Sequence, residues 1–371
     1  MFQILIVVYV IEKSFCSSEI YMRRKKILVI NTGGTASMIQ ENGVYFPRKG
    51  TIQRILTEET ELFEKVKGNK DQFLLKKETV YFDILETDDL IDSSNLNPDD
   101  WLNLVEIISS NLKYGSFIII HGTDTLSYTS AALAFLLEKF YKTIILTGSM
   151  RPFSEGKSDF LNNFISSIQL ANNFHLPEVV VMFNERILRA SRIKKISSAR
   201  MNAFGSPNCP ELGDFSIPAF LNLSINTYKK DDSIFHKKIS NKIRIIKIYP
   251  GIDDLFFKSL NKENTDALII ESYGNGNTPN NENFTSSLKR LTEENIIVVN
   301  VTQVQHGGVS TNYATGKFLF DIGVISGYDI TTEAAFAKLS FLFGKYGDNI
   351  VKIKADFQEN LRNEITKPIK Q

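Results

Sequence analysis

The sequence predicts an α/β protein with two domains. The larger, N-terminal one is built on a doubly wound, mostly parallel sheet, and a smaller α/β domain follows at the C-terminus. Three observations predict this. Short apolar runs recur along the chain without the polar alternation of a half-exposed strand. Strands of that kind are buried on both faces, as in a parallel sheet covered by helices. Segments with apolar residues at a 3.6-residue period separate them. Finally, 371 residues exceed the size at which one hydrophobic core grows efficiently.

The elements follow in order. Residues 1–22 hold an apolar run, Phe2 to Ile11, followed by Ser14-Phe15-Cys16-Ser17-Ser18. The run is too short to span a bilayer. It reads as a leader or disordered extension, or as the core of a secretion signal, although no positive residue precedes it. A second methionine, Met22, stands just before Arg23-Arg24-Lys25-Lys26 and the first strand, Ile27 to Ile30. Further strands are expected at Phe117 to Ile120, Thr143 to Leu146 and Val179 to Phe183. Helices are expected at Pro98 to Leu112 and Ser127 to Phe140, each with a periodic apolar face. Between about Ser206 and Lys242 the rhythm lapses around Pro207, Pro210 and Pro218. The domains are therefore set at 23–215 and 243–371, with 216–242 as the connection. Strands resume at Ile243 to Ile248, Ala267 to Ile270 and Ile296 to Val299, and a helix from Thr331 to Lys345 closes the second domain.

Composition narrows the function. Lysine and arginine number 43 against 42 acidic residues, a net charge of +1. That gives no concentrated basic field for nucleic acid or an anionic membrane, so neither is expected as a partner. Two cysteines, Cys16 and Cys209, lie far apart, and the four histidines have no metal-ligand spacing. No disulfide framework and no metal site are expected.

In open α/β sheets, ligands bind beyond the carboxyl ends of the strands. Here successive strand ends deliver hydroxyls, glycines and an acid. In Thr32-Gly33-Gly34-Thr35 the glycines let the chain turn sharply, either as plain punctuation or to present the Thr35 hydroxyl. His121-Gly122-Thr123-Asp124-Thr125 offers backbone N–H groups for an oxyanion, a hydroxyl at Thr123, and a carboxylate at Asp124 for a substrate ammonium. Capping of the next helix is an equal alternative for this motif, and His121 reads as structural. Asp92-Ser93-Ser94 could hold a carboxylate or cap a helix. Lys195 sits in a basic run that also reads as a solvated turn, and Asn277 in Gly274-Asn275-Gly276-Asn277 also reads as a turn.

Together and in this order, these motifs closely resemble the bacterial-type L-asparaginases, especially the type I, cytoplasmic branch. The resemblance spans about Lys25 to Leu361. The family's Thr-Gly-Gly-Thr-Ile signature is matched at Thr32 to Thr35, with Ala36 in place of isoleucine, and His-Gly-Thr-Asp-Thr is matched without change at His121 to Thr125. Asp92 to Leu96, Thr147-Gly148-Ser149, Ser158-Asp159, Tyr249-Pro250-Gly251, Ser272-Tyr273-Gly274 and Tyr313 to Gly316 also look like type I members. Ala36-Ser37, Phe160 and Glu271 depart from the family pattern, and Glu271 weakens any assumption of allosteric control.

The resemblance implies hydrolysis of L-asparagine, or of glutamine, to the acid and ammonia, with no cofactor. It implies Thr35 as nucleophile, assisted by Tyr45 on a flexible loop, and a second group formed by Thr123, Asp124 and Lys195. Ser93 with Asp124 would hold the α-carboxylate and α-amino ends. Asp92, Ser94, Ser149 and Asn277 complete the expected substrate contacts, Asn277 by reaching a neighbouring subunit's site in a homodimer or homotetramer. The expected location is cytoplasmic, or secreted if residues 1–22 act as a signal. A threonine hydroxyl needs a base or a prepared proton path. A lysine with an ordinary pKa of about 10.4, set beside Asp124, suits orientation better than proton abstraction.

Three rivals are weaker. An archaeal-type glutamyl-tRNA amidotransferase subunit carries an extra domain before its Thr-Gly-Gly-Thr motif, where about 30 residues stand here. A binding protein that holds asparagine without turnover needs none of the catalytic residue types. A nucleotide binder lacks its glycine signatures at the first turn.

Overall fold

A computed structural model describes residues 7–8, 26–216, 220–221, 228–310 and 314–366. The leader expectation for 1–22, Met22 and Cys16 thus lies outside the described residues, apart from positions 7 and 8, and so does Tyr313. The chain divides into two compact units, one of residues 1–206 and 210–235, the other of 207–209 and 236–371. The division at Phe235 falls inside the stretch read as the connection.

In the first unit the chain forms β1 (Ile27–Gly33), a hairpin of β2 (Met38–Glu41) and β3 (Val44–Pro47), α1 (Thr51–Glu58), and strands β4 (Phe63–Lys65), β5 (Gln72–Leu75) and β6 (Val80–Ile91). Then follow α2 (Pro98–Ser110), β7 (Ser116–Ile120), α3 (Leu126–Leu136), β8 (Thr143–Thr147), α4 (Phe160–Asn173), β9 (Val179–Phe183) and β10 (Arg186–Arg189). Short strands β11 (Lys194–Lys195), β12 (Phe204–Gly205) and β13 (Gly213–Asp214) complete it.

The main sheet runs β13-β10-β9-β8-β7-β1-β6-β5-β4, and two-residue segments at Phe220–Leu221 and Val7–Val8 extend the β13 edge. Its centre, β9-β8-β7-β1-β6, is parallel, and antiparallel strands flank it. The apolar runs predicted as buried strands are β1, β7, β8 and β9, and all four are buried at every position. Strand β6 escaped the sequence reading because only its first half alternates buried and more exposed positions, and acidic residues crowd its second half. The helix expected to reach Phe140 stops at Leu136. Leu137–Glu138 instead pairs antiparallel with Ile234–Phe235.

Asn97 caps α2 in a capping box with Asp100, and Pro98 follows at the first turn, where its missing N–H costs nothing. Beneath β4–β6, Phe63, Phe73, Phe82, Phe160 and Phe164 interlock in stacked and edge-on pairs. This aromatic core holds the sheet against α4.

The topology fixes where a site can form. From β1 the chain places β6 on one side, then β7, β8 and β9 outward on the other. The carboxyl ends of β6, β1 and β7 therefore meet at the switch point of the sheet.

The second unit is a four-stranded parallel sheet, β14 (Ile243–Lys247), β15 (Ala267–Ser272), β16 (Ile297–Thr302) and β17 (Ile325–Ser326), in sequential order. Its helices are α5 (Leu255–Ser259), α6 (Glu282–Glu293), α7 (Ala314–Asp321), α8 (Thr332–Tyr346) and α9 (Ile350–Phe357).

Candidate active site

Two glycines bring the strand ends together. At Gly34, with φ +71°, a Cβ would lie 2.3 Å from the Gly122 Cα. At Gly122, a Cβ would lie 2.6 Å from the Ser93 Cβ. The turn after β1 is thus stacked backbone to backbone on the turn after β7, which in turn packs on the Ser93 side chain of the segment after β6, at a spacing only glycine permits. Thr35 and Thr123 each stand one peptide step of about 3.8 Å beyond these glycines, so their Cα atoms lie within about 11 Å of each other. Gly33, at φ +111°, fits against the Ile91 backbone, and the Gly34 N–H donates to the Ile91 carbonyl at 2.9 Å. Thr32 donates its hydroxyl to the Ile120 carbonyl at 2.9 Å, tying β1 to the end of β7.

Lys195 is drawn into this cluster. Pairing of β11 with β12 sets Lys195 opposite Phe204. Its Nζ donates to Thr123 Oγ1 at 2.8 Å and to Asp124 Oδ1 at 2.6 Å. The basic run is therefore not merely a solvated turn. Thr123 is 6% exposed, whereas the Asp124 side chain is 59% exposed. The lysine thus bridges a dry hydroxyl and a wet carboxylate.

Behind them, His121 is buried and structural. A carbonyl only accepts, so Nδ1 carries the proton and donates to Gly122 O at 2.7 Å. Nε2 then accepts from the Thr129 hydroxyl at 3.0 Å, and Thr129 in turn accepts from Trp101 Nε1 at 3.2 Å. Burial pushes the imidazole pKa down to about 4, so the ring is neutral near pH 7.

Ser93 is 2% exposed, and its Oγ has no hydrogen-bond partner among the described residues. Its carbonyl accepts from Thr125 Oγ1 at 2.8 Å, so the segment is anchored while the hydroxyl is not. Buried hydroxyls without partners are uncommon and mark places where a ligand or water completes the set.

Other expected residues fall differently. Asp92 accepts from the Ser94 N–H at 3.1 Å and caps the short helical turn Ser93–Asn95, not the helix after Pro98. Ser149 is fully buried and its hydroxyl lies 2.8 Å from Asp159 Oδ1, which also receives the Met150 N–H. It supports the loop after β8 from inside. Tyr45 lies on β3 opposite Gln40, in a paired hairpin and not in an irregular loop. Its hydroxyl faces Glu155 and Ser154, and its pKa is raised, by desolvation first and then by Glu155. Asn277 belongs to the second unit, where its N–H and carbonyl both pair with Tyr273 and the neighbouring Gly276 carbonyl accepts from buried Asn300 at 2.9 Å.

Sequence reasoning missed Asn31 and Glu86. Asn31 is buried and accepts from Gly33 N–H and Ser37 Oγ, and its amide donates to Glu86 at 3.0 Å. A polar residue closing an otherwise apolar strand was the available signal.

Among the described residues, no three His, Cys, Asp or Glu side chains are grouped as a metal ion would require. Within the same residues, no helix is long and apolar enough to cross a membrane.

Comparison with known proteins gives concordant results. The N-terminal asparaginase family model matches residues 26–226, and the glutaminase/asparaginase C-terminal domain model matches 242–357. The chain is 36% identical over 348 residues to L-asparaginase 1 of Escherichia coli K12, covering 93% of this chain and 99% of that protein. It is 31% identical to the human 60 kDa lysophospholipase, over 93% of this chain but 62% of that longer protein. The crystal structure of L-asparaginase I from Vibrio cholerae superposes with a TM-score of 0.81 at 35% identity, covering 93% of this chain and all of that one.

Proposed function

The chain belongs to the asparaginase family, and from that premise we propose that it hydrolyses L-asparagine to L-aspartate and ammonia through an ester on Thr35. The observation that carries this reading is the stacking of Gly34 on Gly122 and of Gly122 on Ser93. It sets Thr35, Thr123 and an unpartnered serine hydroxyl at one switch point of the sheet.

In this reading the Thr35 hydroxyl attacks the side-chain amide carbon of the substrate. Thr123, held by Lys195 at 2.8 Å, relays the proton. Backbone N–H at Thr123 receives the oxyanion, since the bond from His121 to Gly122 O fixes the peptide unit that carries it. Ammonia leaves, and water then hydrolyses the aspartyl ester to regenerate Thr35. Ser93 Oγ takes the α-carboxylate and Asp124 the α-ammonium. Tyr45 assists Thr35 after releasing Glu155. Asp92, Ser94 and Ser149 act through the backbone they brace, and Asn277 serves a neighbouring subunit's site. Assembly as a homodimer or homotetramer and a cytoplasmic setting belong to the same proposal.

The test is ammonia release from asparagine and from glutamine by the wild type and by Thr35→Ala. The variant is expected to fold and to lose nearly all turnover. Turnover of wild-type size in Thr35→Ala would remove the nucleophile and the mechanism with it.

A further inference from the structure

We infer that Asn31, Ser37 and Glu86 form a clamp that positions both the Thr35 turn and the hairpin carrying Tyr45. The inference deepens the reading of Thr35 as nucleophile and rests on it.

The clamp begins at the irregularity where β1 leaves β6. Register between them shifts between Asn31 and Gly33, and Asn31 is fully buried there. A buried primary amide must satisfy both its ends. The Asn31 Oδ1 accepts from the Gly33 N–H at 3.1 Å and from the Ser37 hydroxyl at 2.8 Å. These two donors bracket the turn that presents Thr35. The Asn31 Nδ2 donates to Glu86 Oε1 at 3.0 Å. The amide cannot be reversed, because two donors stand on one side and a carboxylate on the other.

Glu86 carries the connection onward. Its carboxylate receives the Gly50 N–H, at 3.0 Å to Oε2 and 3.2 Å to Oε1, just before α1. Ser37 closes the ring from the other strand, since its carbonyl accepts from the Arg48 N–H at 2.9 Å. Both legs of the β2–β3 hairpin are thus held at their base, the entering leg through Ser37 and the leaving leg through Arg48 and Gly50. Tyr45 rides on that hairpin and Thr35 on the turn before it. One frame therefore sets the separation of the two groups that must cooperate. Ser37 is among the residues that depart from the family signature. Its hydroxyl is buried, and Asn31 is the partner that accepts it.

Reacting groups displaced by about 1 Å lose roughly 100-fold in rate, and a clamp whose loss loosens the turn by less costs about tenfold. Ser37→Ala removes one hydroxyl and leaves the remaining bonds in place. It is expected to lower kcat for asparagine about tenfold, to keep KM within about twofold, and to speed deuterium uptake in the peptide covering residues 33–37. Asn31→Ala should do the same more strongly. The double variant should be less than additive, because both changes remove the same Ser37–Asn31 bond. Wild-type kcat in both single variants, with unchanged exchange at 33–37, would overturn the clamp. So would a kcat loss that merely follows a fall in Tm. Thr35→Ala measured alongside separates the two ideas. Full activity in Thr35→Ala rejects the nucleophile, while the exchange of Gly33 still reports whether Asn31 holds the turn.

Discussion

The ammonium of Lys195 stands 2.8 Å from the Thr123 hydroxyl and 2.6 Å from the Asp124 carboxylate, so one cation serves a buried partner and an exposed one. The two contacts differ in worth. An ion pair whose carboxylate faces water contributes about 0–1 kcal/mol to stability, whereas the bond to the buried hydroxyl fixes the group proposed to relay the proton.

Lys195→Met is therefore expected to cost little stability and much activity. Ammonia release should fall by roughly 100- to 10,000-fold, the range for loss of a positioned proton-transfer partner. Lys195→Arg should not restore it, since a planar guanidinium does not replace a point donor. Stopped-time ammonia assays with melting curves check both. A variant that melts like the wild type and turns over like it would place Lys195 outside the chemistry.

Gly34 offers a second test. A methyl there would overlap Gly122 backbone, which cannot move aside as a flexible side chain does. Gly34→Ala should separate the two turns and lower kcat more than 100-fold by the sensitivity of rate to placement. Gly43, also at positive φ (+81°), has open space around it. Gly43→Ala should cost about 1 kcal/mol of stability from backbone strain and spare the site. Equal losses of activity in both would mean that strain, not the contact with Gly122, matters.

These residues also show what the sequence could reveal. The parallel strands were legible because β7, β8 and β9 are apolar at nearly every position, the mark of burial on both faces. The motifs at Thr35 and Thr123 each read alone as a turn or a helix cap, and only their order along the chain and their resemblance to the asparaginases singled them out. Strand β6 was not legible, because its acids at Glu86, Asp88 and Asp89 read as loop. Lys195 reads by itself as part of a solvated basic turn, and only its pairing opposite Phe204 brings it to Thr123. Asn31 has only a faint local signature, a polar residue closing an apolar strand, since its distant partner Glu86 meets it only through the parallel pairing of β1 with β6. Side-chain networks across strands are a property of register, which a single sequence does not spell out.

The buried imidazole of His121 predicts an acid limb to stability. Its folded pKa is about 4 against an ordinary 6.5. Above pH 6.5 both folded and unfolded chains carry it neutral, and its contribution is fully present. As pH falls from 6.5 toward 4 the unfolded chain takes up a proton that the folded chain refuses, so stability is lost, by about 3 kcal/mol as an order of magnitude. His121→Gln forfeits the bonds to Gly122 and Thr129 but also this penalty. The stability gap between wild type and variant should therefore narrow between pH 7 and pH 4.5 in urea titrations. A gap independent of pH would mean that the ring protonates where it stands.

A buried ion pair stands in the second unit. Lys338 and Glu364 are both wholly buried and paired, and Lys338 Nζ also donates to the Phe357 carbonyl at 2.7 Å and the Glu359 carbonyl at 2.6 Å. Glu364 accepts in turn from the Leu361 N–H at 3.1 Å. The pair thus gathers the chain beyond α9 onto α8. Desolvating two charges is expensive, but removing only one leaves the other buried and uncompensated, which costs about 3–5 kcal/mol. Lys338→Met should lose that much in denaturant titrations. Lys338→Met/Glu364→Leu should recover part of it, because the stranded carboxylate is gone. The recovery should stay incomplete, since the two carbonyls lose their donor in either variant. A double variant no more stable than the single would show that the carbonyl bonds, and not the ion pair, hold the terminal segment.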